Sequence, residues 1–202
     1  MKPSIVFTKC SPYYVVGVPD CKGADGKPVA MQAVTALCRC GQSARRPYCD
    51  GAHSRIGFVG EKGRRGRVRS FAGRQITIHD NRRVCAKDGA CVRELPGVFS
   101  RERTPWIDPD GASPEKIMAT IEMCPSGALM YTYRGAYGPE PRRGPAIWIA
   151  KNGPYRLVGG IEITDDQGSV PQSREHCTLC RCGLARSKPF CDGAHDEAPF
   201  EG

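Results

Sequence analysis

Short apolar runs separated by glycine, proline and polar turn residues dominate the hydrophobic pattern near the end of this chain. Residues 147–150 run apolar and residues 155–158 partly alternate, with a turn signal at 152–154, so two short strands are predicted there. A weaker strand is predicted at 162–164, before the turn residues 165–168. The pattern therefore predicts a small unit built from short strands.

A different pattern occupies the centre of the chain. Residues 75–79 and 129–133 are predicted strands. Residues 113–122 are predicted to form a helix, because Ser113 is a good N-cap and Pro114 suits the first helical position. The centre is thus predicted to be a separate module with both strands and a helix.

The two ends of the chain are copies of one another. When the sequence is displaced by 142 residues, 18 of the 49 positions from 5 to 53 are identical to positions 147–195 without a gap. The identities gather on cysteine, histidine, glycine and proline, whose ligand chemistry or backbone geometry other residues replace poorly. We therefore predict three domains, at residues 1–60, 70–135 and 145–202. Each small repeat buries little surface alone, but two copies can pack their sheet faces together.

The composition favours metal or redox chemistry. The chain has 202 residues, of which 12 are cysteine, 24 glycine and 17 proline, and only 40% are hydrophobic, which argues against one large core. The N-terminus lacks the features of a secretory signal, and no stretch approaches the roughly 18 apolar residues of a membrane span. We therefore expect a cytoplasmic protein without membrane attachment, whose cysteines stay reduced and bind metal.

The formal net charge of +9 raises the question of an acidic partner. The densest basic segment, residues 62–69, contains glycines but no interleaved aromatic residues, unlike platforms that stack single-stranded nucleic acid. We interpret this segment as a solvated linker, and we do not expect nucleic-acid binding.

Each end of the chain carries the spacing Cys-x-Cys-x₈-Cys-x₃-His. Three thiolates and one imidazole complete a four-ligand site for an iron–sulfur cluster or, alternatively, for structural zinc. Because Cys-x-Cys places two thiolates close together, we infer that this pair binds one iron while the third cysteine and the histidine bind the other. The candidate ligands are Cys38, Cys40, Cys49 and His53 in the first copy, and Cys180, Cys182, Cys191 and His195 in the second.

These residues, with the Cys-Asp-Gly-x-His ending and a proline two positions before the third cysteine, resemble the CDGSH (NEET, mitoNEET-like) family of iron–sulfur proteins. The resemblance covers residues 5–58 and 147–200. It implies two redox-active [2Fe–2S] clusters, each with its histidine near solvent. It also implies a two-fold dimer with an exchanged strand, so we expect an intrachain pseudo-dimer and a monomeric protein. Ala52 and Ala194 stand where the family has serine.

Several further residues lie near these motifs. Arg39 and Arg181 stand between the paired cysteines, where a guanidinium could offset cluster charge or simply be solvated. Cys10, Cys21 and Cys177 have no counterpart in the other copy, so they are not predicted ligands.

The central module carries a third candidate site. Cys85, Cys91 and the Cys-Pro at Cys124 resemble monocluster ferredoxins over residues 75–133, which bind [4Fe–4S] through Cys-x₂-Cys-x₂-Cys and a distant Cys-Pro. Asp88 occupies the second ligand position. Because a carboxylate is a hard ligand for a soft site, we predict either [4Fe–4S] with a weakly held iron at Asp88 or [3Fe–4S] after its loss. Alternatively, Asp88 caps a turn, or the site holds no cluster.

The expected fold class is therefore α+β, small and β-rich, with a ferredoxin-like domain inserted between two NEET-type repeats. No catalytic nucleophile, nucleotide-binding loop or substrate pocket is recognisable, so an enzyme is not expected. The first functional hypothesis is electron transfer with a redox partner protein. The second is cluster donation to an apo iron–sulfur acceptor, or redox and pH sensing. A zinc-binding adaptor is the third.

Overall fold

The computed structural model describes residues 2–63, 66–198 and 200–202. We refer to residues 1–60 as the first repeat, 70–135 as the central module and 145–202 as the second repeat. The strands of the first repeat are β1 (Ser4–Phe7), β2 (Tyr13–Val16), β3 (Asp20–Lys22) and β4 (Val34–Leu37). Those of the second repeat are β9 (Ala146–Ile149), β10 (Tyr155–Val158), β11 (Glu162–Asp165) and β12 (Cys177–Leu179).

The two repeats exchange one strand each. Strands β1, β2 and β4 form an antiparallel sheet whose fourth strand is β11, parallel to β1, with Ile5 opposite Ile163. Strands β9, β10 and β12 form the matching sheet, and its fourth strand is β3, parallel to β9, with Cys21 opposite Ile147. Because β3 and β11 are equivalent at the 142-residue offset, the exchange is reciprocal.

One apolar core joins the two repeats. Alternation along β2 buries Tyr13 and Val15 and leaves Tyr14 partly exposed, as expected for a half-buried strand. These side chains pack in a single cluster with Ile147 and Leu179 of the second repeat. Each repeat therefore completes the hydrophobic core of the other, which a unit of this size could not build alone.

The central module has its own antiparallel sheet and core. Its elements are β5 (Arg69–Ala72), β6 (Ile76–Asp80), α2 (Ala90–Glu94), α3 (Pro114–Glu122), β7 (Leu129–Tyr133) and β8 (Ala136–Tyr137), with the strands in the order β5-β6-β7-β8. Ile78, Phe99 and Ile117 are fully buried between this sheet and α3. In the described part of the chain, no helix has the length and apolarity needed to cross a membrane.

The predicted strands and helix agree with these bounds to within one residue, and at the 142-residue offset the strands predicted in the second repeat coincide equally well with β1, β2 and β3, whereas β4, β5, β8 and β12 were not predicted. The predicted solvated linker at 62–69 includes Arg64 and Arg65, which lie outside the described residues. Next to them, Lys62 is not merely solvated: its Nζ donates to the carbonyls of Gln167 and Gly168, at 2.7 and 2.6 Å.

Candidate metal centres

The four donors of the first repeat lie at the end of β4 and in the loop that follows it. The backbone N–H of Cys38 donates to Pro47 O at 2.7 Å, which brings the strand end against the loop. The short helix α1 (Ala52–Arg55) then places His53 beside Cys49. Cys38 Sγ is 3.9 Å from Cys40 Sγ, and Cys49 Sγ is 3.3 Å from His53 Nδ1.

The second repeat reproduces this arrangement. Cys180 Sγ is 3.7 Å from Cys182 Sγ, and Cys191 Sγ is 3.4 Å from His195 Nδ1. The backbone N–H of Cys180 donates to Pro189 O at 2.8 Å, as its counterpart does in the first repeat. In both repeats Nδ1 is the histidine nitrogen that faces the thiols.

The donors of each repeat thus form two pairs. A tetrahedral metal with metal–sulfur bonds of about 2.3 Å holds two sulfur ligands about 3.8 Å apart, and a sulfur and a nitrogen about 3.5 Å apart. Both pairs in each repeat have these spacings. Yet no three Cys, His, Asp or Glu side chains of the described residues are grouped so that they could hold one metal ion. The donor set fits a centre with two metal ions, each held by one pair.

Burial and neighbouring thiols shift the pKa values of these cysteines in opposite directions. Burial raises the pKa of Cys40 to about 11, whereas a hydrogen bond from Cys180 lowers the pKa of Cys182 to about 7. A buried thiol with a raised pKa stays protonated at neutral pH unless a metal displaces the proton. All twelve cysteines lie in the described ranges, and none forms a disulfide.

The arginines between the paired cysteines are buried, so the prediction of a solvated side chain is wrong. Arg39 is 2% exposed and Arg181 is 3% exposed. Arg39 donates to the carbonyls of Thr8 and Gly60, at 2.7 and 2.9 Å. Arg181 donates to the carbonyls of Gly153, Ala150 and Gly202, at 2.8, 2.9 and 2.7 Å. Among the described residues neither guanidinium forms an ion pair with a carboxylate, and Arg181 lies close enough to Cys182 to interact with its thiolate.

The two sites touch one another. Tyr13 Oη donates to Cys180 O at 3.2 Å, and Tyr155 Oη donates to Cys38 O at 2.8 Å. A Cβ added to Gly41 would lie 2.4 Å from Cys182 O. Since Gly41 also has a φ of 76°, the backbone there favours glycine and allows the two loops to approach closely.

The surroundings of the two histidines differ. His195 Nε2 lies 3.3 Å from Asp196 Oδ1, and the His195 side chain is only 10% exposed. At the 142-residue offset the first repeat has Ser54 in place of this aspartate. Burial lowers the pKa of His195, while Asp196 opposes that shift.

The third candidate site lies in the central module. Cys85, Cys91 and Cys124 line one cavity, together with Arg82 and Trp106. Burial raises the pKa of Cys91 to about 11, and the neighbouring Cys124 and Cys85 add to this shift. Arg82 Nη1 lies 3.9 Å from Cys85 Sγ and its guanidinium stacks 4.5 Å above the Trp106 ring. Three thiols that line one cavity fit a cluster that takes one ligand per iron.

Asp88 lines the same cavity, but its carboxylate already has a partner. Asp88 Oδ2 lies 2.7 Å from Arg156 Nη2 of the second repeat. Its role as an iron ligand stays a prediction.

Sequence reasoning missed Arg156 and the neighbouring ion pair of Lys87 with Glu197. The one available signal was that positions 156 and 197 break the repeat, with Tyr14 and Arg55 as their counterparts. The cysteines set aside as ligands are accounted for: Cys21 and Cys177 are buried in the shared core, and Cys10 is exposed.

Two family models match separate segments of the chain. The family described as "Iron-binding zinc finger CDGSH type" matches residues 11–54 and 152–196. The family described as "Divergent 4Fe-4S mono-cluster" matches residues 71–134.

Two curated relatives, each named "Uncharacterized protein YjdI", come from Escherichia coli strains K12 and O157:H7. Each is 36% identical over 69 residues, which is 34% of this chain and 91% of the relative. No solved structure matches the chain. The chain thus contains two CDGSH-type iron-binding segments, one on either side of a divergent 4Fe-4S mono-cluster domain.

Proposed function

We propose that this iron–sulfur protein is a three-centre electron carrier and not an enzyme. Two [2Fe–2S] clusters would be held by the Cys₃His sets of the repeats. A third cluster, [4Fe–4S] or [3Fe–4S], would be held by Cys85, Cys91 and Cys124. When bound, each cluster supplies a centre that gains and loses one electron reversibly.

The pairing of donors within each repeat carries this proposal. Cys38 with Cys40 and Cys49 with His53 have ligand spacings of 3.9 and 3.3 Å. These distances suit two metal ions, whereas a structural zinc would require all four donors around one ion. This supports [2Fe–2S] over the zinc-binding adaptor.

The residues around the donors supply the electrostatics. Arg181 holds positive charge near the thiolate of Cys182, which favours the reduced state of an anionic centre. A histidine in place of a fourth thiolate removes one negative charge and raises the reduction potential further. In the second repeat Nε2 of His195 lies 3.3 Å from Asp196 Oδ1 and can exchange a proton with that carboxylate.

The reciprocal strand exchange supports a pseudo-dimer within one chain. We propose that the two NEET-type repeats form this pseudo-dimer, that the central module is a ferredoxin-like insertion, and that the protein is a monomer. Sedimentation equilibrium of the anaerobic protein should give a mass near 22.0 kDa. A stable dimer would contradict this part of the proposal.

Anaerobic purification followed by iron and sulfide counting tests the main proposal. We expect two two-iron centres and one three- or four-iron centre per chain, and signals of distinct reduced clusters in electron paramagnetic resonance (EPR). A colourless protein that contains zinc and no acid-labile sulfide would refute it.

One observation favours cluster donation as a second candidate function. Cys49 is half-buried, whereas its counterpart Cys191 is 1% exposed. The first repeat is therefore the better donor to an apo iron–sulfur acceptor. Rapid transfer from this repeat to an apo-ferredoxin would favour donation, and reversible reduction with retained iron would favour electron transfer.

A further inference from the structure

The loop that carries Cys85 and Cys91 contacts the second repeat at residues that lie between these two candidate ligands. Asp88 Oδ2 lies 2.7 Å from Arg156 Nη2 on β10, and Lys87 Nζ forms an ion pair with Glu197 Oε1. The side chain of Lys87 also covers Gly193, where an added Cβ would lie 2.4 Å from Lys87 Cγ.

This contact brings two candidate cluster loops together. Lys87 is two residues from Cys85, and Gly193 is two residues from Cys191. The backbone N–H of Gly193 lies 3.4 Å from Cys191 Sγ. The loops of the two sites therefore meet within two residues of Cys85 and of Cys191.

The charges that hold this contact occur in the second repeat and not in the first. At the equivalent positions of the first repeat, Tyr14 replaces Arg156 and Arg55 replaces Glu197. Asp88 would lose its cation there, and Lys87 would face a like charge. The central module is thus matched electrostatically to one repeat.

The second repeat touches the first on another side. A Cβ added to Gly183 would lie 2.4 Å from Cys40 O, and Tyr155 Oη bonds to Cys38 O at 2.8 Å. The three candidate sites therefore follow one another in the order central module, second repeat, first repeat.

We propose that Lys87 and Asp88 are positioning residues that join the central site to the second repeat, so that an electron reaches the first repeat through the second. This inference rests on the proposed electron-transfer function. A one-electron protein donor reduces the central site; that site then loses one electron, and the second-repeat site gains it. No bond forms or breaks. On this proposal, Asp88 forms an ion pair with Arg156 and is not an iron ligand.

The variant Arg156→Gln tests the ion pair with Asp88 without changing a candidate ligand. After flash reduction of the anaerobic protein, we expect electron redistribution from the central site to slow severalfold, because the two loops are no longer held together by the ion pair. Iron and sulfide contents should stay at the wild-type values, and hydrogen exchange in residues 191–197 should increase. The exposed Arg45→Gln is the control of equal charge change.

Exchanging the charges distinguishes a specific contact from a general loss of structure. The double variant Asp88→Arg with Arg156→Asp should restore most of the transfer rate and the exchange protection. Wild-type rates and protection in Arg156→Gln would overturn the inference. So would loss of one iron in Asp88→Asn while Arg156→Gln behaves as wild type, since Asp88 would then be a ligand. A wild-type protein without reducible clusters would refute the proposed function itself, and that result is read before any variant is compared.

Discussion

The two repeats hold the same donors at the same spacing in different surroundings. Their thiol pairs are 3.9 and 3.7 Å apart, and their thiol–imidazole pairs are 3.3 and 3.4 Å apart. Around these donors, the second repeat has a more buried third cysteine, an aspartate beside its histidine and the central module against its loop. Duplication has thus kept the ligand geometry and varied the electrostatics and access.

On the proposed function, the two sites would share one set of donors and differ in reduction potential and access. Both repeats would then need the same four donors, because any change would remove a ligand. The positions that differ include Tyr14 against Arg156, which contacts the central module, and Ser54 against Asp196, which follows the histidine. Substitutions there can change the properties of one site and leave its twin unaltered.

Replacing the buried arginines should produce the largest loss of stability. Arg39→Met or Arg181→Met leaves buried carbonyl groups without donors, so we expect the free energy of unfolding to fall by about 3 kcal/mol. The loss should be greater for Arg181, because its Nε donates to Gly153 O whereas the Nε of Arg39 has no partner. Urea denaturation followed by circular dichroism measures both, with the exposed Arg45→Met as control. Equal behaviour of all three variants would show that burial of the guanidinium is unimportant.

A buried carboxylate that occurs in only one repeat should make the stability of the fold depend on pH. Glu175 accepts bonds from Arg143 Nε at 2.9 Å and Gly159 N at 3.0 Å, and the first repeat has Ala33 at its position. Burial raises its pKa, but the bonds from Arg143 and Gly159 outweigh burial and hold the pKa below its usual value. A lowered folded-state pKa stabilises the fold above the unfolded value of about 4.3, and this stability is lost as the pH falls through the folded value.

Glu175→Gln should therefore lower the free energy of unfolding by about 2 kcal/mol at pH 7. The difference from wild type should shrink as the pH falls below about 4. Urea titrations at a series of pH values measure this, with the exposed Glu122→Gln as control. A difference that stayed constant with pH would mean that the charge of Glu175 contributes nothing.

Removing the hydroxyl of Tyr13 or Tyr155 should reduce the free energy of unfolding less. The local change should appear in the repeat opposite the one that carries the substitution. Tyr155→Phe removes the hydroxyl that donates to Cys38 O at 2.8 Å, and we expect a loss of about 1 kcal/mol. Hydrogen exchange should increase in residues 38–47 of the first repeat, and Tyr13→Phe should increase it in residues 180–189. The partly exposed Tyr14→Phe is the control. Changes confined to the repeat that carries the substitution would contradict the expectation that each tyrosine stabilises the opposite repeat.

These results show which features a sequence can predict. The donors and the duplication follow from identities at a constant offset, and strands such as β10 follow from local apolar patterns. The strand exchange does not follow from the sequence, because the local patterns of β3 and β11 predict strands but not the sheet that each strand joins. The same holds for Asp88, whose partner Arg156 is 68 positions away. In the sequence, a carboxylate at a ligand position suggests an iron ligand. The fold shows that this carboxylate lies against the guanidinium of Arg156.

The smallest predicted effect concerns the aspartate beside the second histidine. Asp196 is 47% exposed in its side chain, so its interaction with the centre is screened by solvent. Its negative charge disfavours added electrons, and Asp196→Ser reproduces the residue of the first repeat. We expect the reduction potential of the second-repeat centre to rise by about 20 mV, the equivalent of about 0.5 kcal/mol for one electron. Potentiometric titration with EPR detection resolves such a shift, and the reverse variant Ser54→Asp should lower the potential of the first-repeat centre by a similar amount. If both variants shifted the potential in the same direction, the carboxylate would be acting through local structure and not through its charge.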